Sequence, residues 1–180
     1  MADELTVITN SYHRDGYYFP IDAMSVEQAL AYRSQFEAAE REYKDKDPDF
    51  DALVFGHANM VMPFIDEITR LSSVLDPVRA ILGPDVMVWG ANLFIKEAHS
   101  PNYVSWHQDL TYWGLDDVDE VTAWVALSPA TVRSGCMRYV PGTHTREIVP
   151  HRDTFAEDNQ LSRGQELAVD VNEAEAVDVV

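Results

Sequence analysis

Gly83-Pro84-Asp85-Val86-Met87-Val88-Trp89-Gly90 is where the sequence changes character. Gly-Pro stops a helix, because glycine takes up the cap conformation and proline cannot continue the turn. The residues that follow, Val86-Met87-Val88-Trp89, favour a pleated strand. Working back from the stop, Leu75 to Leu82 and Pro63 to about Leu71 carry helical periodicity. Further upstream, Ser25-Val26-Glu27-Gln28 opens a longer helix: the Ser25 hydroxyl can cap it and Gln28 stands where it closes a capping box. Ala29, Leu30, Tyr32, Phe36 and Ala39 continue that pattern to Arg41, and the polar run Lys44-Asp45-Lys46-Asp47-Pro48-Asp49 ends it as a loop.

Working forward, Asn92-Leu93-Phe94-Ile95, Tyr103-Val104-Ser105-Trp106, Val121 to Leu127 and Cys136-Met137-Arg138-Tyr139-Val140 repeat the β-rich texture between Gly, Pro, Asn and Asp. Runs so spaced, without helices between them, predict an antiparallel barrel or jelly roll behind an N-terminal helical layer. The chain is read as a single domain, mainly β with N-terminal helices: helical over about 1–84 and β over about 85–180. Glu166 to Val171 and Glu175 to Val180 read as two more strand segments around Asn172-Glu173-Ala174. The sequence stops inside the second, so the expected sheet ends on an edge without its partner.

With 180 residues, 46% of them apolar and 24% charged, the chain can bury a core. Its 31 acidic against 13 basic residues give a net charge of −18, a field that repels phosphate backbones and anionic membrane surfaces. Nucleic acid and membrane are therefore not expected partners, while a small anion can still be held by local Arg or Lys within the screening length of about 10 Å. A lone cysteine, Cys136, forms no intrachain disulfide and fits a reducing compartment. No apolar run approaches the roughly 20 residues that span a bilayer. The expectation is a cytoplasmic protein.

Ser105-Trp106-His107-Gln108-Asp109-Leu110 carries the candidate chemistry. At a strand or its exit, residues two apart point the same way, so His107 and Asp109 can aim at one point while Gln108 aims elsewhere. An imidazole with one carboxylate suits a first-row divalent metal; a second histidine from another strand would complete the facial triad that leaves open positions on a non-haem iron. Spacing alone does not choose iron over zinc, nor a metal pair over an ordinary hydrogen-bonded one.

Trp106 to Leu115 (WHQDLTYWGL), Thr122 to Leu127 (TAWVAL) and Ser134 to His144 (SGCMRYVPGTH), taken in order, resemble the phytanoyl-CoA dioxygenase family of Fe(II)- and 2-oxoglutarate-dependent oxygenases. Pro150 to Leu167 is similar to the insert that bacterial members carry after the PGTH or PGSH turn. The resemblance implies a double-stranded β-helix, a cupin-like jelly roll incomplete at its C-terminal end, with Fe(II) at its open end and 2-oxoglutarate as cosubstrate. It implies His107 and Asp109 as metal ligands, Trp124 beside the 2-oxoglutarate and Trp113 beside the substrate. Tyr112 is a further substrate-facing candidate, and Lys96 could meet a carboxylate or a substrate anion; interior packing for Trp124 and an exposed strand lysine are the plain alternatives. Asp109 occupies the position that halogenating relatives leave small, which favours hydroxylation of a small organic substrate by dioxygen.

In the family, the distal histidine and the arginine that grips 2-oxoglutarate follow the insert, and this sequence ends at Val180 before either is expected. His144 in the PGTH turn is not expected to stand in for that histidine, and His151 is expected to order the insert through Arg152 and Asp153. A chain of these residues alone is expected to be inactive unless a homo-oligomer partner or a C-terminal fragment completes the site. The segment 144–165 reads either as a lid or as an ordered surface excursion. The alternative functions are a zinc or manganese cupin-like barrel and a non-catalytic barrel in which His107 and Asp109 simply pair.

Overall fold

The structure, a computed structural model, describes residues 2–180, which form two compact units interleaved along the sequence. The first unit takes the chain through Thr9, then Pro20–Phe94 and Val121–Pro129; the second takes Asn10–Phe19, Ile95–Glu120 and Ala130–Val180.

Helices build the first unit. It contains the start of α1 (Ala2–Asp15), then α2 (Val26–Tyr43), α3 (Phe50–Gly56), α4 (Ala58–Val61), α5 (Pro63–Thr69) and α6 (Ser72–Leu82). α2 begins as its sequence dictates, with the Ser25 hydroxyl accepting the Gln28 N–H at 3.2 Å. Pro63 opens α5, where its missing N–H costs no hydrogen bond. Gly83 ends α6 at φ 98°, a conformation that a β-carbon would resist. Buried Ile8, Tyr32, Phe36, Phe50, Val54, Phe64, Ile65 and Ile68 make an apolar core in which the Tyr32 and Phe64 rings stack at 6.3 Å. α1, α3 and α4 were not foreseen. The β-branched run Thr6-Val7-Ile8-Thr9 masks α1, but Asp3 and Glu4 in its first turn and His13 and Arg14 in its last complement the helix dipole.

The expected jelly roll does not form. Among the described residues the chain is 39% helix and 7% strand, with two small open two-stranded sheets and no closed barrel. Residues 86–89, 92–95 and 121–127, expected as barrel strands, join no ladder, and Met87 is 85% exposed. The physical reason is that β-propensity reports how well a side chain suits a half-buried pleated surface, while a strand exists only where a neighbour supplies the hydrogen bonds. Val54 and Ala91 take up part of this backbone instead: Leu93 N–H reaches the Val54 carbonyl at 3.2 Å and Ala58 N–H the Ala91 carbonyl at 3.1 Å.

The second unit holds the short helix α7 (Leu110–Trp113) and four short strands: β1 (Arg138–Tyr139), β2 (His151–Asp153), β3 (Gln165–Leu167) and β4 (Val177–Asp178). β1 pairs antiparallel with β4, setting Arg138 opposite Asp178, and β2 pairs with β3, setting Arg152 opposite Glu166. Both registers place opposite charges face to face, with Arg138 Nε 3.2 Å from Asp178 and Arg152 NH2 2.6 Å from Glu166. All the deeply buried apolar side chains lie in the first unit, whereas the buried polar residues Asn159 and Gln165 lie in the second. Hydrogen bonding therefore carries more of the second unit's order than apolar burial does.

Candidate metal centre

The stretch Tyr103 to Asp109 forms no strand ladder: Tyr103 makes a single parallel bridge to Asn159, Trp106 is at a bend and Asp109 already has helical backbone angles (φ −61°, ψ −44°), so His107 and Asp109 do not stand on a barrel strand. They still meet. His107 Nε2 lies 3.1 Å from Asp109 Oδ1, and Asp109 sits at the N-cap position of α7. The other ring nitrogen, Nδ1, is 2.7 Å from the Ser105 carbonyl oxygen. That oxygen accepts and cannot donate, so Nδ1 carries a hydrogen and Nε2 is the nitrogen turned to the carboxylate.

This geometry tests whether the residues fit a metal. In a neutral imidazole the Nε2 lone pair would face a carboxylate oxygen, acceptor against acceptor. A proton on Nε2 or a cation shared by the two atoms removes the conflict. In the metal-free chain the surroundings favour the proton. Burial by itself would lower the His107 pKa, but the Asp109 hydrogen bond, the Ser105 carbonyl and the Asp109 charge outweigh it and raise it. Two donors bound at about 2.1 Å and at right angles to one first-row ion would lie about 3.0 Å apart. The observed 3.1 Å fits that separation. Among the described residues no group of three His, Cys, Asp or Glu side chains converges to hold a metal ion, so the candidate centre rests on this pair.

The negative field around it is strong. Glu120 is pushed up to about 7, first by burial and then by the Asp109 charge, and one of its carboxylate oxygens is buried without a hydrogen-bond partner. Tyr139 is pushed up to about 12 by burial, then by Asp109 and Tyr12. Tyr12 is itself raised by burial and by Glu120. An uncompensated buried carboxylate oxygen beside a second carboxylate favours a cation. Sequence reasoning missed Glu120, Tyr12 and Tyr139: the first two belong to no local motif, Tyr139 lies in the Ser134–His144 motif without any local sign of this role, and only folding brings them within reach of Asp109.

The other candidates have particular places. Tyr112 meets the His151 ring edge-on at 5.5 Å and carries the Arg163 guanidinium 5.6 Å from its ring centre, while its hydroxyl is buried without a partner. Trp113, half-buried, ends α7 before Gly114. Lys96 Nζ donates to the Gly135 carbonyl at 2.9 Å and so serves a turn. Trp124 belongs to the first unit, 43% exposed on an extended stretch. His144 turns to the N-terminal segment, with Nε2 3.2 Å from the His13 carbonyl and its ring against Gly16. Arg138 lies 5.5 Å from the Trp106 ring centre and binds Glu173 at 2.6 Å.

The segment 144–165 is bonded closely to the motif. Tyr103 N–H donates to the Asp158 carbonyl at 3.0 Å, Gln160 N–H to the Tyr103 carbonyl at 2.9 Å, and Leu167 N–H to the Trp106 carbonyl at 2.8 Å. Asn159 donates to the Ser105 hydroxyl at 2.9 Å, and that hydroxyl donates to the Gln165 carbonyl. The segment is an ordered layer against residues 103–108.

The phytanoyl-CoA dioxygenase (PhyH) family profile matches residues 12–179. The chain is 27% identical over 89 residues to a probable alpha-ketoglutarate-dependent hypophosphite dioxygenase of Stutzerimonas stutzeri, covering 49% of this chain and 31% of that protein. It is 32% identical over 85 residues to the human peroxisomal phytanoyl-CoA dioxygenase, covering 45% of this chain and 25% of that protein. Among solved structures, the apo form of ThoJ, a non-heme monooxygenase, superposes with a TM-score of 0.81 at 33% identity, over 96% of this chain and 63% of that one. The chain thus spans less than two thirds of these relatives. A profile that takes in nearly every residue, together with the paired His107 and Asp109 inside it, leaves one conclusion: this chain belongs to the phytanoyl-CoA dioxygenase family of Fe(II)- and 2-oxoglutarate-dependent oxygenases.

Proposed function

We propose that this protein is an Fe(II)- and 2-oxoglutarate-dependent dioxygenase that hydroxylates a small organic substrate, with His107 Nε2 and an Asp109 carboxylate oxygen as metal ligands. The observation that carries the proposal is the facing of these two atoms at 3.1 Å, with the Ser105 carbonyl holding the other ring nitrogen as the N–H. When bound, the iron and its cosubstrate supply the oxidation of a C–H bond by dioxygen; the chain supplies everything that orients it.

Ser105 sets the His107 tautomer, so that Nε2 rather than Nδ1 is offered to the metal. Asp109 would hold the ion through a carboxylate oxygen, offset part of its charge and take the place that a halide would otherwise need. Glu120, pushed up to about 7, is about half protonated at neutral pH in the metal-free chain and would lose that proton if positive charge were bound beside Asp109. Tyr112 and Trp113, on the helix that starts at Asp109, are proposed to line the substrate side. Trp124 is proposed for the cosubstrate side on family resemblance. No described helix is long and apolar enough to cross a membrane, and the lone Cys136 supports a reducing, cytoplasmic setting.

The experiment is an anaerobic titration of the protein with Fe(II) and 2-oxoglutarate, followed through the visible charge-transfer band of the chelate. In a form completed with the distal histidine and the 2-oxoglutarate-binding arginine of the family, the band should appear, and it should vanish in His107→Ala and Asp109→Ala. A band of equal strength in either variant would remove these residues from the centre. A second reading has an observation of its own: 3.1 Å is also the length of a plain imidazolium–carboxylate bond. In such a non-catalytic member neither Fe(II), Zn(II) nor Mn(II) would perturb the His107 ring resonances.

A further inference from the structure

Gln108, between the two proposed ligands, is held from both its backbone and its side chain by one short stretch of the 144–165 segment. Its backbone N–H donates to His151 Nε2 at 3.0 Å, and its side-chain Oε1 accepts the Val149 N–H at 2.9 Å. His151 Nδ1 is 2.7 Å from the Val149 carbonyl oxygen. As a carbonyl only accepts, Nδ1 bears the hydrogen and Nε2 keeps the lone pair that Gln108 N–H needs. Each donor in this ring of three hydrogen bonds has its acceptor, with the Thr111 hydroxyl a longer second neighbour of His151 Nδ1 at 3.5 Å. The ring cannot be reproduced with the other tautomer.

The ring is anchored outside itself. His151 begins β2 opposite Leu167 of β3, and Leu167 N–H donates to the Trp106 carbonyl at 2.8 Å. The His151 ring meets Tyr112 at 90°, so a residue three positions after Asp109 packs on the same imidazole. Residues 106, 108 and 112 are thus all tied to the β2–β3 pair. His107 and Asp109 flank Gln108, and the Asp109 carbonyl accepts the Tyr112 N–H at 2.9 Å. Their convergence depends on the peptide planes on either side of Gln108, and the His151 bond fixes one of those planes.

We infer that His151 is a positioning residue: through the Gln108 backbone it holds the imidazole of His107 and the carboxylate of Asp109 pointed at a common ion. This rests on the metal reading of the pair proposed above. His151 itself touches neither ligand side chain. It acts one residue removed, as partners of metal ligands do when they restrict orientation rather than donate electrons to the metal.

The test uses Co(II) as the probe, bound anaerobically to the whole 180-residue chain and followed by its ligand-field absorption. His151→Leu should weaken Co(II) binding about tenfold or more and change the band shape. His151→Gln, whose amide oxygen can reach the place of Nε2, should recover most of the affinity and the wild-type spectrum. Gln108→Met, which leaves the Val149 N–H unpaired, should fall between. Amide hydrogen exchange at Gln108 reports the hydrogen bond without any metal: it should speed up in His151→Leu and return in His151→Gln. A folded His151→Leu variant with wild-type Co(II) affinity and spectrum, changed only in unfolding midpoint, would overturn the inference. Failure of the wild type to bind Co(II) would overturn the metal reading and this inference together. Gln108 exchange then separates the causes, since a clamp lost only in His151→Leu still stands as a structural bond.

Discussion

Gly164 offers a sharp test of how the layer over the metal motif is built. It sits at φ 61°, buried, just before β3, and a β-carbon there would lie 2.7 Å from Thr154 Oγ1, 2.8 Å from Ala156 N and 2.9 Å from Phe155 N. Two of the three are backbone atoms, so no rotamer change relieves the contact. Gly114 is the control in the same unit: its φ is 64°, and a β-carbon would meet nothing within 4 Å. Gly114→Ala should therefore cost only the left-handed strain, about 1 kcal/mol. Gly164→Ala should cost that strain plus the overpacking, about 2–4 kcal/mol in total. Urea unfolding followed by tryptophan fluorescence gives both values, with Trp106 and Trp113 as reporters in this unit. Because the Gly164 turn carries the Thr154 hydroxyl and N–H bonds to the Gly164 carbonyl at 2.7 and 3.3 Å, its distortion should loosen the layer against Ser105. Equal costs for the two variants, within about 0.5 kcal/mol, would refute the steric reasoning.

The pH dependence of the metal-free chain follows from two groups. His107 has a folded pKa raised above its ordinary value, so its pairing with Asp109 stabilises fully below about pH 6.5, and that stability is lost as pH rises through the folded value. Asp109→Asn should flatten this slope in urea midpoints taken across neutral pH; an unchanged slope would dismiss the ion pair. Glu120 is raised from 4.5 to about 7, so it opposes folding increasingly as pH rises between those values. Discounted for its partial exposure, Glu120→Gln should stabilise the metal-free chain at pH 8 by about 1 kcal/mol and have no effect near pH 4. Arg152→Ala removes an exposed pair with Glu166 and should cost less than about 1 kcal/mol in the same assay.

The helices were legible where local chemistry declares them. Ser25 and Gln28 at the start of α2, Pro63 at the start of α5 and Gly83-Pro84 at the end of α6 are signals within a few residues of what they control. α3 was hidden because Phe50 to Gly56 is too short for its periodicity to stand out, and it holds through Phe50 and Val54 in the core. The strands fared worse because a ladder is a relation between distant segments. Val86 to Trp89 has strong β-propensity and joins no ladder among the described residues, while Val177 and Asp178, weaker in propensity, pair with Tyr139 and Arg138. His107 and Asp109 stood out by type and spacing, yet nothing local marked Glu120 or His151 as their neighbours.

What the residues determine by themselves is what acts over a few positions: helix starts and stops, and the three-residue motif in which an imidazole and a carboxylate lie close in sequence. What only the folded chain decides is which extended segments find hydrogen-bond partners, how Asp109 pushes up Glu120, and that the ring of His151 reaches the backbone of Gln108 across 43 positions of sequence. The reason is physical. Covalent geometry limits each residue's local conformations, but ladders, buried charges and second-layer hydrogen bonds depend on distances that are set only when the whole chain has closed on itself.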